Sequence, residues 1–324
     1  MANRMQSMRH TQEGNQTLAT HFLLLGFGDL LGLQIIVFLI FLIIYIVTMA
    51  GNILIIVLVV SDQHLHTPMY FFLTNLSCLE TCYSSAILPR MLASLLTGDR
   101  TISVGGCMIQ FWVFGFLAAT ECYLLAVMSY DRYLAVCKPL HYVSLMNSHF
   151  CVQLVLVSWL SGSFIVTTIL LIMSQLRFCA PCEIDHFFCD FLPLIQHLCS
   201  GAPLLILSGF ITTSVLTIPP FLLTLTSYTY IITTILRIPS TGGRKKAFST
   251  CSSHLTVVTI FYGTLIVVYM LPNTNRMNKI VSLFYTILTP LANPLIYSLR
   301  NKEVSKSLRR AISKCVRTQK LTTF

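Results

Sequence analysis

Charged side chains stand at a few places where the surrounding sequence is otherwise apolar. Asp131 and Arg132 fall in Met-Ser-Tyr-Asp-Arg-Tyr-Leu-Ala-Val-Cys, residues 128 to 137, at the end of a long apolar run. Glu80 and Glu121 lie inside two such runs. An ionised group within a membrane-length helix is costly unless paired, so residues of this kind belong to ion paths, proton relays or switches. A carboxylate beside a guanidinium at a helix end can hold a resting state and release it. The bland alternative is an interfacial salt bridge worth about 1 kcal/mol or less. For Glu80 and Glu121 the alternative to an ion site is a pair of neutral, hydrogen-bonded carboxyls.

Other residues are arranged to enclose a small molecule. The third apolar run spaces Phe111, Phe114, Ala118, Cys122 and Leu125 three or four apart, with Ala119 beside them, so that one helical face is aromatic above and small in the middle. The sixth run repeats the device with Tyr262, Ile266 and Tyr269, and Thr212, Thr213 and Leu216 of the fifth would complete the wall. Ordinary helix packing also produces such stripes. If the faces converge, the cavity is apolar with a few hydroxyls and no charge, suited to a neutral molecule with one hydrogen-bonding group.

These residues need helices in a bilayer to hold them. Of 324 residues 55% are hydrophobic and 10% charged, against about a quarter charged in soluble domains. Apolar segments fall at about 33 to 60, 68 to 93, 104 to 132, 150 to 173, 204 to 237, 247 to 271 and 280 to 300. Each is near the length that crosses about 30 Å of hydrocarbon, where every backbone polar group must be satisfied internally. The reading is an all-α membrane protein, a bundle of seven transmembrane helices in residues 33–300. Residues 1–32 form an extracellular N-terminus, and 301–324 a basic tail.

Charge sets the orientation. Of 21 Lys and Arg, seven (Arg4, Arg9, Arg90, Arg100, Arg177, Arg276, Lys279) fall on the N-terminal side, leaving 21 − 7 = 14 for the other, which the positive-inside bias makes cytoplasmic. No cleavable signal peptide is expected, since Phe22 to Phe27 is a short apolar stretch without a basic flank or cleavage site. Asn15-Gln16-Thr17 is a glycosylation acceptor on the outer side. The net charge of +10 gathers in Arg244 to Lys246 and in Lys306, Arg309, Arg310, Lys314 and Arg317. That placement suits anionic lipid and not nucleic acid. Val304, Leu308 and Ile312 recur every fourth residue, predicting a short amphipathic helix after Asn301.

Five of the 12 cysteines lie on the outer side: Cys107, Cys179, Cys182, Cys189 and Cys199. In an oxidising compartment they predict two disulfides and one thiol over. A soft-metal site at Cys182, His186 and Cys189 is the weaker reading, and no metal is expected. Kinks are predicted at Pro219-Pro220, Pro290 and Pro294. An ion-coupled transporter or channel is the competing class, set against the odd helix count and the lack of a detectable internal repeat. An enzyme is weaker still, because Ser253 and His254 are adjacent and cannot face one another.

Six ordered motifs carry a resemblance: Gly51-Asn52; Leu-His-Thr-Pro-Met-Tyr at 65 to 70; the stretch around Asp131 and Arg132; Ser227-Tyr228; Lys-Ala-Phe-Ser-Thr-Cys-Ser-Ser-His-Leu at 246 to 255; and Asn293-Pro294-Leu-Ile-Tyr297-Ser-Leu-Arg-Asn. Along nearly its whole length the chain resembles the odorant receptors, a branch of the rhodopsin-like G-protein-coupled receptors. It departs from the usual pattern at Ser129, Leu134, Val136 and Ala292. Residues 65 to 70 resemble the tetrapod-type group, which implies apolar, volatile ligands.

The resemblance implies bridges Cys107–Cys189 and Cys179–Cys199, leaving Cys182 unpaired. It implies a sodium region at Asn52, Glu80, Glu121 and Asn293, and no other cofactor. It also implies a coupling switch at Asp131, Arg132, Tyr133, Tyr228 and Tyr297, close to the basic Arg244 to Lys246. The expected partners are an odorant and a stimulatory, olfactory-type G protein that raises cyclic AMP. The expected location is the plasma membrane, in olfactory cilia.

Overall fold

The computed structural model describes residues 19–28, 32–180, 183–199, 203–270, 275–300 and 302–322. At 203–206, 246–247, 249–250, 253, 270, 275–278, 297–300, 302 and 314–322 it describes the backbone alone. The long helices are α1 (Gln34–Ser61), α2 (Pro68–Thr97), α3 (Val104–Cys137), α5 (Ser148–Ser174), α7 (Pro203–Leu236) and α8 (Thr241–Met270). Short helices α4 (Pro139–Leu145) and α6 (Phe191–Ile195) lie in the connections. The last crossing is composite: α9 (Asn275–Leu283), a π-helical turn (Phe284–Leu288) and α10 (Thr289–Arg300), after which α11 (Lys302–Thr322) begins.

Five of these are long and apolar enough to cross a membrane: α1, α3, α5, Leu207–Leu236 of α7 and Lys279–Ile296 of the composite helix. Two segments of the sequence reading do not reach that measure. In α2 the run is broken by buried Ser77, Glu80 and Ser84, and in α8 the described side chains give the shorter apolar stretch His254–Tyr269. Ser77, Glu80 and Ser84 of α2 and His254 of α8 are buried within the bundle, where polar groups of membrane helices are placed away from lipid.

Local chemistry accounts for the ends. Asn147 caps α5 by accepting from the Phe150 N–H at 2.9 Å, and Ser103 caps α3 by accepting from Gly106 at 3.1 Å. Pro68 opens α2, where its missing donor is harmless. Pro290 has no N–H for the preceding turn, and the chain widens into the π turn just before it. There the Thr289 hydroxyl and N–H both turn back to the Phe284 carbonyl.

Helix α3 runs through the middle and packs against α2, α5, α7 and α8. Its middle is buried almost throughout, from Leu117 to Leu125. At Gly51 of α1 a Cβ would come within 2.9 Å of the Pro294 ring, so the Gly-Asn motif lets α1 close on α10. Helix association in lipid rests on this kind of close packing.

On the N-terminal side a small sheet closes the bundle, with β1 (His21–Leu24) antiparallel to β2 (Thr101–Ser103) and parallel to β3 (Glu183–Ile184). At the opposite end the α11 helix, expected from its four-residue spacing, buries Val304. It is tied to the first loop by Arg310 donating to Asp62 at 3.0 Å. Hydrogen bonds from Ser307 and His64 hold the Asp62 carboxyl well below the usual carboxylate range.

Candidate functional site

Beneath the sheet lies a cavity of about 90 Å³ between α3, α5, α7 and α8. Of the residues expected to form it, Phe111, Phe114, Ala118, Ala119 and Cys122 line it from α3, Thr213 and Leu216 from α7, and Tyr269 from α8. Three do not line it. Tyr262 points under the floor, where its hydroxyl donates to the Cys122 carbonyl at 2.6 Å and pins α8 to α3. Thr212 and Ile266 are rotated off the cavity, and their neighbours Thr213 and Leu265 face it instead.

The expectation of a cavity without charge is corrected by Asp190, which lines it. Asp190 sits one residue beyond Cys189 in the connection from α5 to α7 and is 3% exposed. It accepts from the Tyr269 hydroxyl at 2.8 and 3.0 Å and from the Phe191 N–H at 2.7 Å. Tyr285 of the π turn stands 3.3 Å from the Tyr269 hydroxyl. Burial pushes the Asp190 carboxyl up to about 6, against the pull of the Tyr269 hydrogen bond. Reading the sequence by helical faces missed Asp190 because it lies in a loop, where no periodicity points inward. Its place immediately after a cysteine expected to be bridged to α3 was the available signal.

The loop is held down at several points. Cys189 is bonded to Cys107 at the head of α3, and Cys179 to Cys199. Gln110 of α3 accepts from the Cys189 N–H at 3.1 Å and donates to the Ala86 carbonyl at 3.0 Å, which joins the loop to α2 as well. Lys279 pairs with Asp185 and donates to the Gly26 carbonyl at 2.8 Å. Phe188 packs on Phe114 at 4.6 Å, and Phe191 lies over the backbone of Gly209, where a Cβ would meet its ring at 2.1 Å. His186 is buried against Phe187 and Phe188, and that burial, with Lys279 nearby, lowers its imidazole to about 3. Cys182 and Asn15 lie outside the described residues.

Deeper in the bundle the four tentative ion-site residues occupy fully or nearly fully buried positions. Asn293 donates to Glu80, and Asn52 donates to the carbonyls of Thr48 and Pro290 at 3.1 and 3.2 Å. Asn52 Oδ1, Glu80 Oε2, both Glu121 carboxyl oxygens and Asn293 Oδ1 have no hydrogen-bond partner. Unsatisfied oxygens are what a hard cation binds, so the donor set fits sodium. Among the described residues no cluster of His, Cys, Asp and Glu suits a metal such as zinc.

At the far end of α3, Asp131 and Arg132 are paired, with Nε to Oδ2 at 3.0 Å, and the Tyr142 hydroxyl of α4 donates to Asp131 at 2.8 Å. Tyr133 stacks on Tyr130 at 6.3 Å and meets the Tyr230 ring at 5.8 Å, tilted by 56°. Tyr228 hydrogen-bonds His254 Nδ1 at 2.6 Å, which closes α7 on α8. The backbone of Tyr297 lies in α10, and its side chain is outside the described residues.

A membrane helical bundle, with a lidded cavity at one end and a paired Asp-Arg on the same central helix at the other, defines a receptor-like class of protein. Comparison places it further. The olfactory receptor family model matches residues 41–315. The chain is 48% identical to human olfactory receptor 11A1 over 94% of this chain and 97% of the relative. It is 48% identical to human olfactory receptor 11L1, over 92% and 94%, and 45% identical to mouse olfactory receptor 6E1, over 93% and 97%. The chain belongs to the olfactory receptor family. It is an odorant-sensing G-protein-coupled receptor of the plasma membrane, multi-pass and not an enzyme.

Proposed function

We propose that this receptor binds a small, mostly apolar, neutral volatile in the cavity between α3, α7 and α8, and then activates a stimulatory, olfactory-type G protein to raise cyclic AMP. The observation that carries the reading is the shared shaft. Phe111 to Cys122 face the cavity and Asp131 and Arg132 stand at the other end of the same helix, so a ligand that shifts α3 against α8 reaches the switch directly. At about 90 Å³ the cavity is below both the roughly 300–1,000 Å³ of drug-sized sites and the roughly 150 Å³ that takes benzene, so a volatile of about a dozen heavy atoms must widen it on binding. At about −0.5 kcal/mol per atom such a ligand gains about −6 kcal/mol, or tens of micromolar.

The agonist favours the shape in which α8 moves outward, and it shifts the equilibrium only by its differential affinity for that shape. Asp131 then releases Arg132 to the G protein, in a cleft with Tyr133, Tyr228 and Tyr297. Asn52, Glu80, Glu121 and Asn293 would hold a sodium ion, whose charge their buried oxygens would offset.

The topology in this reading has seven spans in residues 33–300, counting α2 and α8. Residues 1–32 are outside, glycosylated at Asn15, and the basic tail 301–324 lies on the inner leaflet. Olfactory cilia are the proposed site of action.

A cyclic-AMP reporter screen against a chemically diverse odorant panel tests the proposal, with a saturable response expected for at least one small apolar compound. Ligand-evoked current without any G protein would instead favour the transporter or channel alternative.

A further inference from the structure

We propose that the groove between the cytoplasmic ends of α7 and α8 is a discrete site for one anionic phospholipid of the inner leaflet. The groove measures about 320 Å³, larger than the ligand cavity. Ile232 and Leu236 form one wall, and Thr241, Arg244, Lys245 and Phe248 the other.

The inward faces of the same helices are already used. Tyr228, Ile231 and Cys251 are packed together at 4%, 0% and 4% exposure, with Ile235 between them and the groove. Ile232, Leu236 and Phe248 are 41%, 62% and 54% exposed, so the groove opens sideways, away from the bundle. An apolar trough at that depth meets acyl chain.

What distinguishes it from the rest of the lipid-facing surface is its rim. Arg244 and Lys245 sit together at the start of α8, and among the described residues neither is paired with a carboxylate. The Arg244 guanidinium has one contact at hand, donating to the Ile238 carbonyl at 3.2 Å, which turns it toward the α7–α8 connection. Two cations above an apolar trough match the phosphate and acyl chain of one anionic lipid, and a basic side chain near an anionic surface attracts it substantially. A soluble acidic peptide would gain the charge but leave the trough unfilled.

The site's position on the inner leaflet rests on the proposed orientation, but the binding itself does not. The test therefore uses purified, full-length receptor in detergent micelles, which have no sides. Phosphatidylserine is titrated and adducts are counted by native mass spectrometry, with phosphatidylcholine as the neutral control.

One phosphatidylserine is expected to persist preferentially. Its affinity should fall about thirtyfold in the double variant Arg244→Gln, Lys245→Gln, the share of two basic side chains. Ile232→Trp keeps both cations and fills the trough, and should lose the lipid by a similar factor. Thermal melting checks that both variants remain folded, and Ile232 is exposed enough for the Trp to be carried without disturbing the core.

Equal adduct affinity in all three proteins would overturn the site. So would loss confined to a tail variant, Lys306→Gln with Arg309→Gln, or binding of glycerophosphoserine as tight as that of the intact lipid.

Discussion

The two ends of the bundle are held by different kinds of force. The sheet end is closed by the bonds Cys107–Cys189 and Cys179–Cys199, the three-stranded sheet and the Lys279 clamp. The opposite end is closed by Tyr142 with Asp131 and by Tyr228 with His254, while Asp131 holds Arg132 within α3, all of these contacts reversible. A disulfide cannot be exchanged for another contact on the timescale of a signal, whereas a salt bridge or hydrogen bond can. The sheet end is therefore held in one shape, and the opposite end is free to take two. The prolines at 219, 220 and 294 lie in helices that join the ends, where a missing backbone donor makes bending cheap.

The contrast can be broken most severely at the covalent end. Cys189→Ser removes the bond to α3 and frees the loop carrying Asp190. A cost of about 2–5 kcal/mol is expected, enough to abolish surface expression, measured by antibody staining of intact cells. Arg132→Ala at the other end should do the reverse. Surface expression stays, and cyclic-AMP output falls to background in a reporter assay, as the proposed switch role of Arg132 requires.

Gly209→Ala is expected to raise the half-maximal agonist concentration by about tenfold or more. The added methyl takes the space of the Phe191 ring and lifts the lid from the cavity. Tyr269→Phe removes the donor to Asp190 while keeping the ring. A loss of about 1.5–3 kcal/mol for a hydrogen bond to a charged group predicts roughly tenfold lower potency or more modest destabilisation of the lid. An unchanged dose response and melting temperature would remove Tyr269 from the site.

The smallest expected effect is on pH. With its carboxyl raised to about 6, Asp190 binds its proton more readily folded than unfolded, so its contribution to stability grows as pH falls from above 6 toward 4. His186, lowered to about 3, binds its proton less readily folded and takes stability away as pH falls below about 6.5. The two oppose each other at the sheet end. Asp190→Asn should therefore make the acid side of the melting curve steeper, and His186→Phe should flatten it, each by a few degrees at pH 5.

Much of this was readable beforehand. The long helices fall close to the apolar segments, because period and length are local properties, and α11 follows from Val304, Leu308 and Ile312. The residues of α3 that line the cavity were legible for the same reason, since they share one face of a regular helix. Thr212 and Ile266 were misplaced by about one position, because α7 and α8 turn on their axes to suit their neighbours. Tyr262 was read as ligand-facing when its hydroxyl is consumed by the Cys122 carbonyl, a contact between residues 140 apart in sequence.

The sequence by itself determined that this chain is a membrane bundle, which face of α3 is small and aromatic, and which family it belongs to, since each rests on residue types and short spacings. Only the tertiary structure decided that Asp190 reaches the cavity, that Phe191 rests on Gly209, and that Arg244 and Lys245 overhang an apolar trough. Those facts depend on how loops and helix ends are brought together across long separations, and no local period records that.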